Sequence, residues 1–167
     1  MYSEEEELRW SSHLPALLAC VAATKGDVLE IGMGWFSTPI LHSAVCGAGR
    51  MLVSLEKDKA WRDKFADYNK PVHPIYEQVD YDKDPPCPFE FMRWSVVFID
   101  DSPGPDRWKH VKRFLPVAEY LVVHDAGPEP GTIDPIMPLL VGHAWWTIHK
   151  RFTPWTLVVS KLGISIP

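Results

Sequence analysis

The sequence predicts an α/β fold: a doubly wound, mostly parallel sheet with a C-terminal antiparallel hairpin, and with the helix between strands three and four reduced or lost. Three observations carry that expectation. Five short β-rich runs alternate with segments of helical spacing. The first run ends in the stretch GDVLEIGMGWFS at 26–37, a strand that breaks at Gly32 and Gly34 and leads into a helix start. Two β-rich runs at the tail, 144–152 and 156–162, are joined too briefly for a parallel crossover and so pair antiparallel.

The elements follow in order. Residues 4–23 read as helix, broken or kinked near Pro15, with four glutamates where the positive end of a helix dipole lies. Residues 27–31 are the first strand. Residues 38–46 are the first crossover helix, with Thr38 as N-cap and Pro39 as first helical residue, ended by Gly47 and Gly49. The second strand, 51–55, delivers Glu56. A helix at 59–68 spaces Trp61, Phe65 and Tyr68 along one side, and a weaker strand at 72–79 runs into Asp80, Tyr81 and Asp82. Three prolines in 84–91 leave room for a loop or one turn. The fourth strand, 95–99, ends in Asp100 and Asp101; a helix at 105–115 follows. The fifth strand, 120–123, ends in His124 and Asp125, and Asp134 can cap a short helix beyond the turn-rich stretch 127–131.

A chain of 167 residues is long enough for one domain with a substantial core, here a helical cover at 1–25 and an α/β core at 26–167. With 46% apolar and 23% charged residues, the composition is that of a soluble globular protein. No apolar run reaches membrane-helix length and the acidic start is unlike a signal peptide, so no membrane partner is expected. Cys20, Cys46 and Cys87 share no metal or redox spacing and read as reduced thiols of a cytoplasmic protein. A net charge of −5 disfavours nucleic acid, although four of the acids are Glu4–Glu7. The basic run Arg107, Lys109, Lys112 and Arg113 reads as a solvated helix face. Oligomeric state is not legible.

In an open parallel sheet, ligands bind beyond the carboxyl ends of the strands. Those ends carry Glu30 with Gly32 and Gly34, then Glu56, Asp80 to Asp82, Asp100 with Asp101, and His124 with Asp125. An acid closing the second strand, about 20 residues past a glycine turn, suits a ribose diol. That holds for any adenosine ligand. An NAD-type redox domain would normally need a second, substrate-binding unit, for which the length leaves no room.

At these residues the chain resembles the class I S-adenosylmethionine-dependent methyltransferases, over about 27–162. VLEIGMGWFST is similar to their first motif, VVFIDDSP to the fourth-strand motif and YLVVHDAG to the fifth, and the terminal hairpin matches their added antiparallel strand. The pairing FIDD with HDA is most similar to small-molecule O-methyltransferase-like branches. The resemblance implies S-adenosylmethionine as cofactor and a small-molecule acceptor. It implies that Gly32 and Gly34 underlie the cofactor's amino acid portion, that Glu30 orients its amino group directly or through water, that Glu56 holds the ribose and that Asp80 or Tyr81 meets the adenine. Asp100 joins this set, and Trp35 beside the turn either walls the methyl site or plugs the packing below. A hydroxyl acceptor needs a base or a metal to take its proton. His124 and Asp101 are the catalytic candidates; Asp125 and Trp145 are the substrate-side candidates. The metal-dependent relatives carry an Asp–Asn pair where this chain has Asp125–Ala126, so no metal is expected. A non-catalytic binding module of the same fold is the alternative.

Overall fold

Strands that are apolar on both sides need cover on both faces, and the intervening helices supply it. The computed structural model describes residues 3–78, 87–102, 104, 107–127, 133–143 and 145–163. β1 (Val28–Ile31), β2 (Leu52–Glu56), β3 (Ile75–Glu77), β4 (Trp94–Ile99) and β5 (Ala118–Val123) run parallel, followed by β6 (Trp145–His149) and β7 (Thr156–Ser160). The sheet order is β3-β2-β1-β4-β5-β7-β6. Strand order reverses between β1 and β4, the position at which such sheets open a crevice. The expected hairpin is present, but it docks by its second strand: β7 pairs with β5, Val123 opposite Leu157, and β6 lies outermost.

The N-terminal segment is two helices, α1 (Glu4–Trp10) and α2 (Leu14–Ala23). Ser3 and Glu6 form a reciprocal capping box at the start of α1, which buries none of its residues. The chain breaks at 11–13, and Pro15 sits in the first turn of α2, where its missing N–H costs nothing. α2 buries Ala16, Leu17, Cys20 and Val21 in one core layer with Val28, Phe98 and Val122. The opposite layer joins Leu29, Ile31 and Val97 to Val111 and Phe114 of α5 (Arg107–Phe114).

Between β1 and β2 the helix is composite: α3 (Thr38–Leu41) widens into a π-helical turn at His42–Cys46. Thr38 is its first residue rather than its N-cap: Ser37 takes the cap position, and the hydroxyls of both donate to Glu30. The helix expected at 59–68 divides into α4 (Lys59–Asp63), capped by Asp58, and a 3-10 turn at Ala66–Tyr68. Among the described residues of the proline-rich crossover a 3-10 turn, Pro88–Phe91, is present. Beyond the fifth strand, a 3-10 turn at Met137–Leu140 stands where a short helix was expected. Among the described residues no helix is long and apolar enough to cross a membrane. Asp80, Tyr81 and Asp82 lie outside the described residues.

Candidate active site at the strand exits

The parallel array brings Glu30, Gly32, Gly34, Glu56, Asp100, Asp101, His124 and Asp125 to one edge of the sheet. Glu30 is buried beneath this edge. It accepts hydrogen bonds from Ser37 Oγ at 2.7 Å, Thr38 Oγ1 at 3.0 Å and Ser54 Oγ at 2.5 Å. Thr38 Oγ1 in turn accepts from the Gly34 N–H at 3.0 Å. Burial pushes the Glu30 carboxyl up to about 7, with the three hydroxyls opposing it. Glu30 therefore grips the turn from below instead of facing a ligand.

The two glycines serve different needs. Gly32 has φ +85°, and a Cβ there would lie 2.5 Å from Asp101 N and 2.6 Å from the Asp100 carbonyl carbon. Its missing side chain lets the β1 exit press on the β4 exit. Gly34 has no such constraint: the nearest atom to a Cβ there would be Ser37 Oγ, at 3.4 Å.

Glu56 ties the first turn to the second. Its Oε2 accepts from Met33 N–H at 3.1 Å and its Oε1 from Asp58 N–H at 2.8 Å. Trp61 Nε1–H donates to Met33 O at 2.7 Å from the other side. Trp35 is half exposed, with its ring 4.7 Å from that of Phe65, so it roofs the α4 side of the turn.

At the β4 and β5 exits the organising residue is Arg107. Its Nη2 donates to Asp100 Oδ1 at 3.0 Å, its Nη1 to Asp125 Oδ2 at 2.7 Å and to His124 O at 2.8 Å, and its Nε to Asp101 O at 2.8 Å. His124 Nδ1 lies 3.0 Å from the same Asp100 oxygen. The Asp100 carboxyl is held below its usual range: burial would raise it, but His124 and Arg107 outweigh that. Asp101 is likewise lowered against its burial, by His110 Nε2 at 2.8 Å and by Gln78. Its Oδ1 is buried without a partner among the described residues.

The break between α1 and α2 reaches this cluster. Ser12 Oγ donates to Pro154 O at 2.9 Å and lies 2.8 Å from His124 Nε2. Ser12 Oγ and Asp100 Oδ1 thus stand against the two ring nitrogens of His124. Each ring nitrogen of His124 has a hydrogen-bonding neighbour, and the residue is 3% exposed. His13 packs edge-on to His124, ring centroids 4.6 Å apart, and neither of its nitrogens has a partner among the described residues. Burial, reinforced by His124, pushes His13 down to about 3. One ligating atom each from His13, Asp100 and His124 lie within 4.8 Å of one another. A cation there would have to displace the Ser12 and Arg107 contacts and face the guanidinium charge.

No protein-family model matches this chain, and no curated protein matches it. Solved structures do. The SAH-bound methyltransferase PaMTH1 of Podospora anserina superposes with a TM-score of 0.66 at 12% identity, over 95% of this chain and 88% of that one. The Bacillus cereus O-methyltransferase in complex with SAH gives 0.62 at 13% identity, over 96% and 83%. The human methyltransferase 10 domain containing protein gives 0.61 at 14%, over 98% and 84%. The chain has the class I methyltransferase fold.

Within the methyltransferase fold, two sequence expectations need correction. Trp145 stands opposite Ser160, which faces Tyr120, so it lies level with the middle of β5 and not at the exit edge. The tryptophan at that edge is Trp155: its N–H donates to Gly127 O, and a Cβ on Gly127 would meet its ring at 2.7 Å. Arg107, expected on a solvated face, is 6% exposed and holds the acid cluster together. Ser12, His13, Ser54 and His110 were not anticipated. The polar string Ser11-Ser12-His13 between two apolar helical runs was the available signal for the first two.

Proposed function

We propose that this chain binds S-adenosylmethionine across the exits of β1, β2 and β4 and transfers its methyl group to a small-molecule acceptor. The observation that carries this reading is Gly34. The chain's own packing does not demand a glycine there, which leaves close approach of a ligand to the turn as the reason for one. Glu56 supports it. A carboxylate has about four acceptor directions and the described residues use two, leaving the others for ribose hydroxyls.

When bound, the cofactor supplies an electrophilic methyl group on a sulfonium. The chain's residues align and enclose. Glu30, through Ser37 and Thr38, fixes the glycine turn, and Gly32 lets that turn rest on the β4 exit. Asp100 and Asp125 present their partly exposed carboxylates beside Arg107, where an acceptor's polar groups can be oriented.

A second reading, a binding module without turnover, is favoured by His124. Both of its nitrogens contact neighbouring groups and Asp100 is doubly paired, so neither of these two residues is a free base. An amine acceptor attacking with its own lone pair needs no base at that step; a hydroxyl acceptor does. Calorimetry with S-adenosylmethionine, S-adenosylhomocysteine and NADH, with methyl-release assays over O- and N-nucleophiles, separates these readings. Binding with turnover on amines is the expected result. Binding without turnover supports the module, and NADH binding in place of both sulfur compounds overturns the proposal.

A further inference from the structure

On the β2–β3 side of the sheet, three ligating side chains converge outside the strand exits. His42 and Cys46, four residues apart on the π-helical turn, share a face and are half-buried. His73, fully buried, approaches them from the segment before β3. His42 Nδ1 and His73 Nδ1 are 2.9 Å apart, and one ligating atom from each of the three residues lies within 4.8 Å of the others.

Hydrogen bonding orients the buried histidine. Ser54 Oγ donates to Glu30 Oε2 at 2.5 Å and lies 2.8 Å from His73 Nε2. Its proton spent on the carboxylate, Ser54 accepts from His73 Nε2–H, and a neutral His73 then carries a bare lone pair on Nδ1. That lone pair faces His42 Nδ1. Metal-binding histidines are commonly held this way, the second ring nitrogen donating into a chain that ends on a carboxylate. A π-helical turn is uncommon and recurs at functional sites.

We infer that His42, Cys46 and His73 form a binding site for a zinc-type divalent ion, with the fourth position open to solvent. Two imidazoles and a thiolate suit a borderline-soft ion, and three protein ligands leave a tetrahedral site one place short. With Zn–N near 2.0–2.1 Å, two histidine nitrogens on one ion stand roughly 3.3 Å apart. The imidazoles need to part by only a few tenths of an ångström. Cys46 Sγ now donates to Val72 O at 3.4 Å and must turn toward the imidazoles to reach its bond length of about 2.3 Å. The isolated cysteine spacing concealed this set because its other members are histidines. The inference is independent of methyl transfer.

The test uses chelator-treated full-length protein titrated with Co(II) and, against a chromophoric chelator, with Zn(II). One ion per chain is expected, with a thiolate-to-cobalt charge-transfer band and visible bands of four-coordinate strength. Cys46→Ser should abolish the charge-transfer band, and both it and His42→Gln should weaken binding at least tenfold. Ser54→Ala, which removes the outer partner, should weaken it by about 10- to 100-fold. His13→Phe should leave it unchanged. Circular dichroism checks each fold, and the half-buried positions of Cys46 and His42 give two independent variants. Absence of stoichiometric binding, or wild-type affinity retained in both Cys46→Ser and His42→Gln, overturns the site. Loss in His13→Phe with retention in Cys46→Ser moves it to the strand exits and also overturns it.

Discussion

Arg107 Nη2 lies 3.0 Å from Asp100 Oδ1 while Nη1 of the same guanidinium lies 2.7 Å from Asp125 Oδ2, so one buried cation joins the exits of β4 and β5. Removing it leaves two carboxylates and two carbonyls to find other partners. Arg107→Ala should cost about 3 kcal/mol, the low end for breaking a buried pair because Asp125 can recruit water. Arg107→Lys, lacking the planar fork, should recover only part of it. Urea unfolding of both variants reads the difference; equal stability of wild type and alanine variant would remove Arg107 from its organising role.

The glycines of the first turn should behave oppositely. Gly32→Ala puts a Cβ 2.5 Å from the Asp101 amide nitrogen at φ +85°, and should destabilise by about 3 kcal/mol or more. Gly34→Ala should change stability by less than about 1 kcal/mol yet weaken S-adenosylhomocysteine binding at least tenfold. Denaturation and calorimetry on the two variants check this, and unaltered binding by Gly34→Ala would remove the support for a cofactor above the turn.

His13 should make the fold acid-sensitive. Its folded value of about 3 lies below the ordinary 6.5, so the unfolded chain binds the extra proton between those limits. Stability contributed by the neutral, buried ring is full above about pH 6.5 and is lost as pH falls toward 3. His13→Phe keeps the packing on Phe98, removes two unpartnered nitrogens and cannot titrate. It should be more stable than wild type by about 1–3 kcal/mol near neutrality, with the gap widening as pH falls. Unfolding midpoints at several pH values measure this.

Glu30 gives the opposite slope. Raised from 4.5 to about 7, it binds its proton more tightly when folded. Its contribution is full below about pH 4.5 and is lost as pH rises through 7. Relative to Glu30→Gln, which does not titrate, wild type should lose on the order of 3 kcal/mol across that window. Parallel curves for the two proteins would contradict the burial argument.

Much of this was legible in the sequence. Strand-end acids such as Glu56 and Asp100 stand where local patterning puts them, because a parallel strand delivers its last residue to the same edge. Arg107 was misread because its helix offers both a wet and a buried side, and only the position of Asp125 decides which it uses. Trp145 was misplaced for a topological reason. The hairpin docks through β7, which sets Trp145 level with Tyr120, and the order of runs along the chain does not fix which hairpin strand pairs with β5. Ser12 and His13 reach His124 across more than a hundred residues, a distance that periodicity does not span.

The insertion of β7 between β5 and β6 has a consequence for biosynthesis. A ribosome releases β5 and then β6 before the strand that must separate them, so the growing chain carries an open hydrogen-bonding flank next to Leu121 and Val123 until Thr156–Ser160 emerges. Sheet closure waits for β7. During that interval the nascent polypeptide is most prone to sticking to its neighbours.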